Sequence, residues 1–162
     1  AACNANDTVP VYMHTGEYHP KKAVSTLSNA MDVGDPSNFI RILELFNHSL
    51  PELKENFSAV KITDEETKSC ILSVYKKYNY LLDPHGAVAY LSLQQYLPQH
   101  SDMNGIFLET AHPVKFFDVV EPLIGKQITL PISVQEIMNK PKMATTINNE
   151  YDELKSFILS RV

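Results

Sequence analysis

The sequence predicts an α/β fold, a layered partial domain in which a short central sheet is flanked by helices. Two stretches that read as strands, residues 57–62 and 105–111, alternate with segments whose apolar residues recur at helical spacing. The chain has 162 residues, of which 44% are hydrophobic and 20% charged, so it can bury a core. We expect about three short strands and roughly five or six helices.

Cap and proline signals mark the beginnings of most predicted helices. A capping box at Thr63–Glu66 opens a helix that ends near Asn79, where acidic residues in the first turn suit the helix dipole. An Asp-Pro pair, in which the acid caps the helix and proline takes its first position, opens two more. These two helices are predicted to begin at Asp35-Pro36 and Asp83-Pro84 and to end at Pro51 and Pro98.

The remaining segments divide the chain into three predicted parts. Residues 1–34 form a strand end followed by a loop-rich insertion, residues 35–125 the α/β core, and residues 126–162 a helical tail. Further helices are predicted from Pro113 to Gly125, from a second capping box at Ser133–Glu136, and over residues 149–161. The last helix should turn four apolar side chains inward: Tyr151, Leu154, Phe157 and Ile158.

Composition disfavours several classes of function. The net charge is −5 and no run of basic residues occurs, so a nucleic-acid partner is not expected. No apolar stretch approaches the ~20 residues of a membrane span. Cys3 and Cys70 belong to no CxxC motif, which favours a reducing compartment, and we expect a cytoplasmic protein. The six histidines show no metal-ligand spacing, so no metal site is predicted.

Two polar turns of similar design, Leu82–Ala89 and Leu108–Phe116, are the candidate functional segments. The second places the Thr110 hydroxyl at the carboxyl end of a predicted strand, where α/β sheets bind ligands. Each turn is also explained by a capped helix with a buried histidine. The chain begins with a polar turn, Asn4–Asp7, without the apolar body of a strand before it. Either a strand has been cut there or the N-terminus is trimmed.

The segment Thr110–Phe116, with the sequence Thr-Ala-His-Pro-Val-Lys-Phe, resembles the late signature of the threonine synthase family. These are pyridoxal-phosphate (PLP) enzymes of fold type II, and they convert O-phosphohomoserine and water into L-threonine and phosphate. Other stretches resemble the family in the same order along the chain: residues 4–10, 15–18, 26–33, 37–39, 64–67 and 83–88. The resemblance implies that the chain is the C-terminal part of a longer enzyme.

The resemblance also implies which residues meet the cofactor and the substrate. Thr110 matches the hydroxyl that faces the pyridine nitrogen, and His85 lies in a motif that faces the cofactor. Asn4 and Asp7 are expected to border the substrate, although side chains of these types also hold ordinary turns. The lysine that forms the internal aldimine and the phosphate-binding loop precede this segment in the family. The chain therefore supplies no catalytic residue and should be inactive without the N-terminal part, its expected partner, and it could self-associate through the surface left uncovered.

Two residues depart from the family pattern, in which position 86 is often Ala or Thr and position 109 Gly or Ala. They are Gly86 and Glu109. An acid beside the pyridine would alter its protonation, so Glu109 should point to the face of the strand opposite Thr110. Two other readings stay open: a stand-alone, non-catalytic α/β ligand-binding module, and another PLP lyase of the same fold type. The insertion-like stretch 15–39 disfavours the second.

Overall fold

The computed structural model describes residues 1–138 and 140–161. The chain divides into two compact units, one from Ala1 to Ile128 and the other from Thr129 onward. The first unit combines helices with a small parallel sheet, which confirms the α/β class. The division of the sequence into residues 1–34, 35–125 and 126–162 stays a prediction.

The sheet consists of two short parallel strands, β1 (Ala2–Cys3) and β2 (Val60–Lys61). The backbone N–H of Val60 donates to the Ala1 carbonyl at 3.0 Å, and the N–H of Ile62 donates to the Cys3 carbonyl at 2.8 Å. The strand predicted over residues 57–62 is therefore confirmed in a shorter form. Parallel pairing of strands so far apart in sequence requires a long crossover, and residues 4–59 provide it.

The strand predicted over residues 105–111 is wrong as a sheet strand. This segment carries no strand assignment, because none of the described segments forms a hydrogen-bonded ladder with it. Its apolar residues still alternate in environment: Phe107 packs against the core and makes an edge-to-face contact with Tyr90 at 5.3 Å. Ile106 and Leu108, by contrast, are 88% and 73% exposed.

The loop-rich region predicted over residues 8–34 contains a helix, α1 (Thr8–Thr15), so this part of the prediction is wrong. Val9, Tyr12 and Met13 are buried and share one helical face, and Pro10 is tolerated because it lies in the first turn. The helix ends at Gly16, whose φ of 79° is the left-handed conformation that favours glycine. The rest of the region is irregular except for a 3₁₀ turn at Asn29–Met31.

The helix predicted from Asp35-Pro36 to Pro51 is two short helices, α2 (Phe39–Leu45) and α3 (Leu50–Asn56). Asp35 does not cap α2, because that helix begins only at Phe39; the Asp35 carboxylate accepts a hydrogen bond from the Tyr18 hydroxyl at 2.8 Å. Pro51 lies in the first turn of α3, which Ser49 caps. The proline therefore helps to begin a helix instead of ending one.

The helices predicted to begin after Thr63 and Asp83 are confirmed as α4 (Asp64–Tyr78) and α5 (Pro84–Tyr96). The Thr63 side chain accepts a hydrogen bond from the Glu66 backbone N–H at 3.3 Å, and the Glu66 carboxylate accepts one from Thr63 N–H at 2.8 Å, which completes the capping box. Asn79 ends α4 at a φ of 51°. A 3₁₀ turn at Pro113–Phe116 leads into α6 (Phe117–Ile124), which ends at Gly125 as predicted.

The second unit contains α7 (Ile132–Met138) and α8 (Tyr151–Leu159). The capping box predicted at Ser133–Glu136 is wrong, since α7 begins one residue earlier and Ser133 lies inside the helix. Helix α8 is confirmed, but its apolar face is not buried: Tyr151, Leu154 and Ile158 are all exposed.

Two apolar clusters form the core of the first unit. One gathers α4, α5 and α6 and is centred on buried side chains that include Ile71, Leu82 and Val120. The other packs α1 against α2 and α3. The second cluster is largely aromatic, with the Tyr12 and Phe39 rings edge to face at 5.4 Å. The N-terminal ends of α1 and α5 are thus held in fixed positions, which is what the candidate site requires.

Candidate functional site

A cavity of about 280 Å³ in the first unit brings together three of the four residues singled out from the sequence. Asn4, His85 and Thr110 all line it, although they come from three separate segments of the chain. The remaining lining is mostly apolar, which is typical of cofactor and small-molecule sites. It is formed by Ala2, Cys3, Asn6, Val9, Ser28, Met31, Val33, Pro36, Val88, Ala89 and Leu108.

Thr110 lies on the extended segment that precedes the 3₁₀ turn at Pro113–Phe116. Leu108 and Thr110 line the cavity, whereas Phe107 packs on the core and Glu109 faces the beginning of α5. Successive side chains of an extended segment point to opposite sides, and that alternation holds here without a sheet. Glu109 therefore lies on the side opposite Thr110, as predicted. The Thr110 side chain is exposed and makes no hydrogen bond to the described residues.

Asn4 is buried and holds the irregular segment around Thr26 against the cavity. Its side-chain Nδ2 lies 2.9 Å from acceptor oxygens of Thr26, Ser28 and Asp32. Its Oδ1 accepts hydrogen bonds from Asn6, from the backbone at 2.9 Å and from the side chain at 3.0 Å. An amide NH₂ has only two hydrogens, so these three acceptors share them. The role that this geometry directly supports for Asn4 is to organise the cavity wall.

Asp7 is the predicted site residue that the structure does not bring to the cavity. Its carboxylate pairs with Lys21 at 3.0 Å and with Lys61 at 3.1 Å. Burial raises its pKa, but the two lysines outweigh that effect and hold the pKa below its usual value. Asp7 thereby links α1, the insertion and β2, which is a structural role; contact with a substrate stays a prediction.

His85 lies in the first turn of α5 and is oriented by the cap residue Asp83. Its Nδ1 is 2.7 Å from Asp83 Oδ1, and its ring packs on Phe116 with 5.0 Å between the ring centres. The side chains of Asp83 and His85 are 0% and 10% exposed. The other ring nitrogen, Nε2, is buried and has no hydrogen-bond partner among the described residues. A buried polar atom without a partner is costly, so Nε2 is a place where a ligand can gain a hydrogen bond.

Asp83 and Glu109 form a pair of adjacent carboxyl groups behind His85. Glu109 Oε1 accepts a hydrogen bond from the Asp83 backbone N–H at 3.1 Å. Burial raises the pKa of Glu109 to about 7, and the neighbouring Asp83 adds to the rise. Burial also acts to raise the pKa of Asp83, but the neighbouring Glu109 and the hydrogen bonds from His85 outweigh it and lower that pKa. Because adjacent carboxylates repel, Asp83 carries the charge, whereas Glu109 is mainly protonated below about pH 7 and mainly ionised above it.

Gly86 makes room for the Glu109 carboxyl group. A Cβ atom at position 86 would lie 2.0 Å from Glu109 Oε2, a distance that no side chain tolerates. The two residues at which the sequence departs from the family pattern are therefore in direct contact. A residue without a side chain at one position accommodates a long side chain at the other.

Sequence reasoning did not assign a site role to Asp83 or to Ser28. Asp83 was identified only as a helix cap, and its pairing with His85 could have been expected from their spacing at a helix start. The contact of Ser28 with Asn4 spans 24 residues of irregular chain and has no local signal. The described residues contain no cluster of His, Cys, Asp and Glu that could hold a metal ion. No helix in the described ranges is long and apolar enough to cross a membrane.

Comparison with known proteins relates this chain to a family. Residues 86–158 match the family model described as "Threonine synthase, C-terminal". Over 162 aligned residues the chain is 40% identical to a threonine synthase of Buchnera aphidicola subsp. Schizaphis graminum. The alignment covers 99% of the chain and 37% of that relative. The chain is thus similar to threonine synthases over almost its whole length. It spans a little over a third of the length of the curated relatives that it matches.

Solved structures of the family have the same fold over the same region. The crystal structure of Escherichia coli threonine synthase matches 100% of the chain and 37% of its own length, with 36% identity and a TM-score of 0.87. A PLP-bound threonine synthase from Brucella melitensis matches 97% of the chain and 39% of its own length, with 27% identity and a TM-score of 0.80.

Proposed function

We propose that this chain forms one wall of the PLP site of a threonine synthase, which converts O-phosphohomoserine and water into L-threonine and phosphate. One observation carries the proposal: Asn4, His85 and Thr110, three residues that lie in family motifs, line the same cavity. The similarity of the chain to threonine synthases, one of which has been solved with PLP bound, supports it.

The chemistry of the cavity fits the ring side of PLP. Its walls are mostly apolar, Thr110 offers a neutral hydroxyl, and His85 Nε2 has no partner among the described residues. No lysine is among the residues of the described chain that line it. We therefore propose that the lysine and the phosphate-binding loop belong to an N-terminal part of the enzyme, and that this part also completes the substrate site.

The proposed role of Thr110 is to donate its hydroxyl hydrogen to the pyridine nitrogen of the cofactor. When bound, PLP supplies an electron sink for the carbon next to the substrate amine. A hydroxyl donor leaves the nitrogen neutral, whereas a carboxylate there would hold a proton on it. The position of Glu109 on the opposite side of the segment supports this role, since the acid is kept away from the cavity. Asn4 holds the wall that faces Thr110.

The extended segment before Thr110 supports the N-terminal part as a partner. Ile106 and Leu108 are strongly exposed, and the backbone of this segment joins no ladder among the described residues. Apolar side chains on an unpaired extended segment favour pairing with another strand. We place this strand in the N-terminal part of the same enzyme, in the cytoplasm; self-association of the chain through this surface stays a prediction.

The test is an assay of the full-length protein that carries this chain. With PLP present, we expect equal amounts of L-threonine and phosphate from O-phosphohomoserine, and neither product after the cofactor has been removed. Two control assays use the same protein. Threonine as substrate detects a dehydratase, and sulfide together with a substrate that accepts it detects a sulfhydrylase. Activity only with the control substrates would identify another PLP lyase, and no activity together with no PLP binding would favour a binding module.

A further inference from the structure

The buried cluster of Asp83, His85 and Glu109 behind the cavity has chemistry that the proposed function does not use. All three side chains carry ionisable groups, and hydrogen bonds link the three residues. Glu109 Oε1 contacts the Asp83 N–H at 3.1 Å, and Asp83 Oδ1 contacts His85 Nδ1 at 2.7 Å. Two atoms of the cluster, Glu109 Oε2 and His85 Nε2, are buried and have no hydrogen-bond partner among the described residues. At each end of the cluster, one atom therefore still lacks a hydrogen-bond partner among the described residues.

Asp83 is the member of the cluster that keeps its negative charge. Its carboxylate accepts from the His85 backbone at 2.9 Å, from the His85 ring, and from the Gly86 backbone at 3.4 Å. It also caps the N-terminal end of α5, where the helix dipole favours an anion. The orphaned oxygen of Glu109 has no such donors, so a negative charge on it would be poorly stabilised. The geometry thus gives the charge to Asp83 and the proton to Glu109.

We propose that Asp83, His85 and Glu109 act as one proton-holding unit at the cavity wall, in which Glu109 stores a proton that His85 takes up when a ligand needs a hydrogen-bond donor there. In one state Glu109 is protonated and the imidazole is neutral. In the other state Glu109 is a carboxylate and the imidazole is protonated on both nitrogens. Asp83 is ionised in both states, and the net charge of the unit is the same.

The unit allows His85 to change its hydrogen-bonding character without a change in the total charge of the protein. With Nδ1–H donated to Asp83, a neutral His85 offers only an acceptor at Nε2, and a protonated His85 offers a donor. A ligand with a carboxylate or phosphate oxygen at that position would draw the proton to His85 and leave the charge on Glu109. The proton is redistributed by equilibrium, so no direct contact between the two side chains is required.

Two side chains near the unit, on other elements, carry no charge. Helix α4 contributes Cys70, whose thiol donates to the Ala87 carbonyl at 3.7 Å and stays neutral because burial raises its pKa to about 11. The segment after Thr110 contributes the Phe116 ring, which packs on His85 and carries no charge. Gly86 is the residue that allows Glu109 to enter the unit, since any side chain there would displace its carboxyl group.

The experiment follows the titration of both groups by NMR in the full-length protein, with ¹³C labels in the histidine rings and the glutamate carboxyl groups. The His85→Gln and Glu109→Gln variants assign the two signals. In the wild type we expect the His85 signal to follow two steps with pH, both of which also appear in the Glu109 signal. In Glu109→Gln, which keeps the shape of the side chain, the His85 signal should follow a single step.

Two further variants separate proton sharing from a purely structural contact. Glu55→Gln changes an exposed glutamate of α3 and should leave the two-step curve of His85 intact. Gly86→Ala should push the Glu109 carboxyl out of its position and give a single step. An unchanged His85 curve in Glu109→Gln would overturn the proposal. So would a wild-type Glu109 signal that is fully titrated below about pH 5, as for an ordinary glutamate, and that measurement needs no variant.

The proposal deepens the proposed function, since the ligand it serves is the one bound in the cavity, but the two can fail separately. Absorbance of bound PLP is recorded on the same samples. Loss of PLP binding with an intact two-step curve would tell against the proposed function alone. Normal PLP binding with independent one-step curves would tell against the proton-holding unit alone.

Discussion

The alternation of side chains at Leu108, Glu109 and Thr110 decides which chemistry reaches the cavity. Leu108 and Thr110 line it, and Glu109 turns to the beginning of α5. A shift of the segment by one residue would replace the neutral Thr110 hydroxyl in the cavity wall with the carboxyl group of Glu109. The packing of Phe107 against the core sets this register, because it determines to which side each of the following side chains points.

The first residue-scale prediction concerns Thr110→Val in the full-length enzyme. The change removes the proposed hydrogen bond to the cofactor ring, and we expect kcat to fall roughly 2- to 10-fold, as for about 0.5–1.5 kcal/mol. The melting temperature should stay within error of the wild type, because the side chain is exposed and bonded to none of the described residues. Thr145→Val, at an exposed position of the second unit, is the matched control. Unchanged kcat in Thr110→Val would return Thr110 to a structural role.

The second residue-scale prediction concerns Asp7→Asn. Its two ion pairs with lysines are partly screened by water, since the Asp7 side chain is 18% exposed and the lysines more so. We expect a loss of about 0.5–1 kcal/mol in the free energy of unfolding at pH 7. Because the pKa of Asp7 is lowered by folding, its contribution is present above the unfolded pKa and is lost as the pH falls through the folded pKa.

Denaturant titrations at several pH values test this dependence. The difference between wild type and Asp7→Asn should be largest at neutral pH and be lost progressively as the pH falls below about 3.9, the ordinary pKa of an aspartate. Asp102→Asn, at an exposed position, should show no such dependence. A difference that persists unchanged at low pH would mean that the ion pairs are not its cause.

At the scale of elements, helix beginnings are specified by local hydrogen bonds, and α4 is the strongest case. The Thr63 and Glu66 side chains each satisfy a backbone N–H that the helix itself leaves free. We expect Thr63→Ala to lower the free energy of unfolding by about 1 kcal/mol. Ser133→Ala, which matches the sequence of a capping box but lies inside α7, should change stability by less than half as much. Equal effects of the two substitutions in chemical denaturation would contradict this account.

At the scale of the whole molecule, the proposed function gives this chain one wall of a PLP site and assigns the covalent anchor to the N-terminal part of the enzyme. No lysine of the described chain lines the cavity. We therefore expect the 162-residue chain alone to bind PLP weakly, without saturation at one equivalent, and to form no threonine from O-phosphohomoserine. Titration with PLP followed by borohydride reduction and mass spectrometry provides the measurement. Stoichiometric labelling of one lysine, or measurable turnover, would mean that the chain contains a complete site.

Elements whose signals are local could be predicted without the structure. Caps at Thr63 and Asp83, the stop at Asn79 and the proline before α6 each act within one helical turn, and all of them are confirmed. The family could be identified because its motifs occur in a fixed order along the chain. Where a local signal was weaker, as at Asp35 and Ser133, competing contacts or an earlier helix start changed the outcome.

Which residues meet depends on packing between distant segments of the chain. Asn4 contacts Ser28, and Glu109 enters the space left by Gly86, across separations of 24 and 23 residues that leave no periodic trace. Pairing of residues 105–111 also depends on a partner strand, so a strong strand sequence remains unpaired among the described residues. Local propensity is a property of a few neighbouring residues, whereas a cavity, an unsatisfied nitrogen or a shared proton exists only once distant segments pack together.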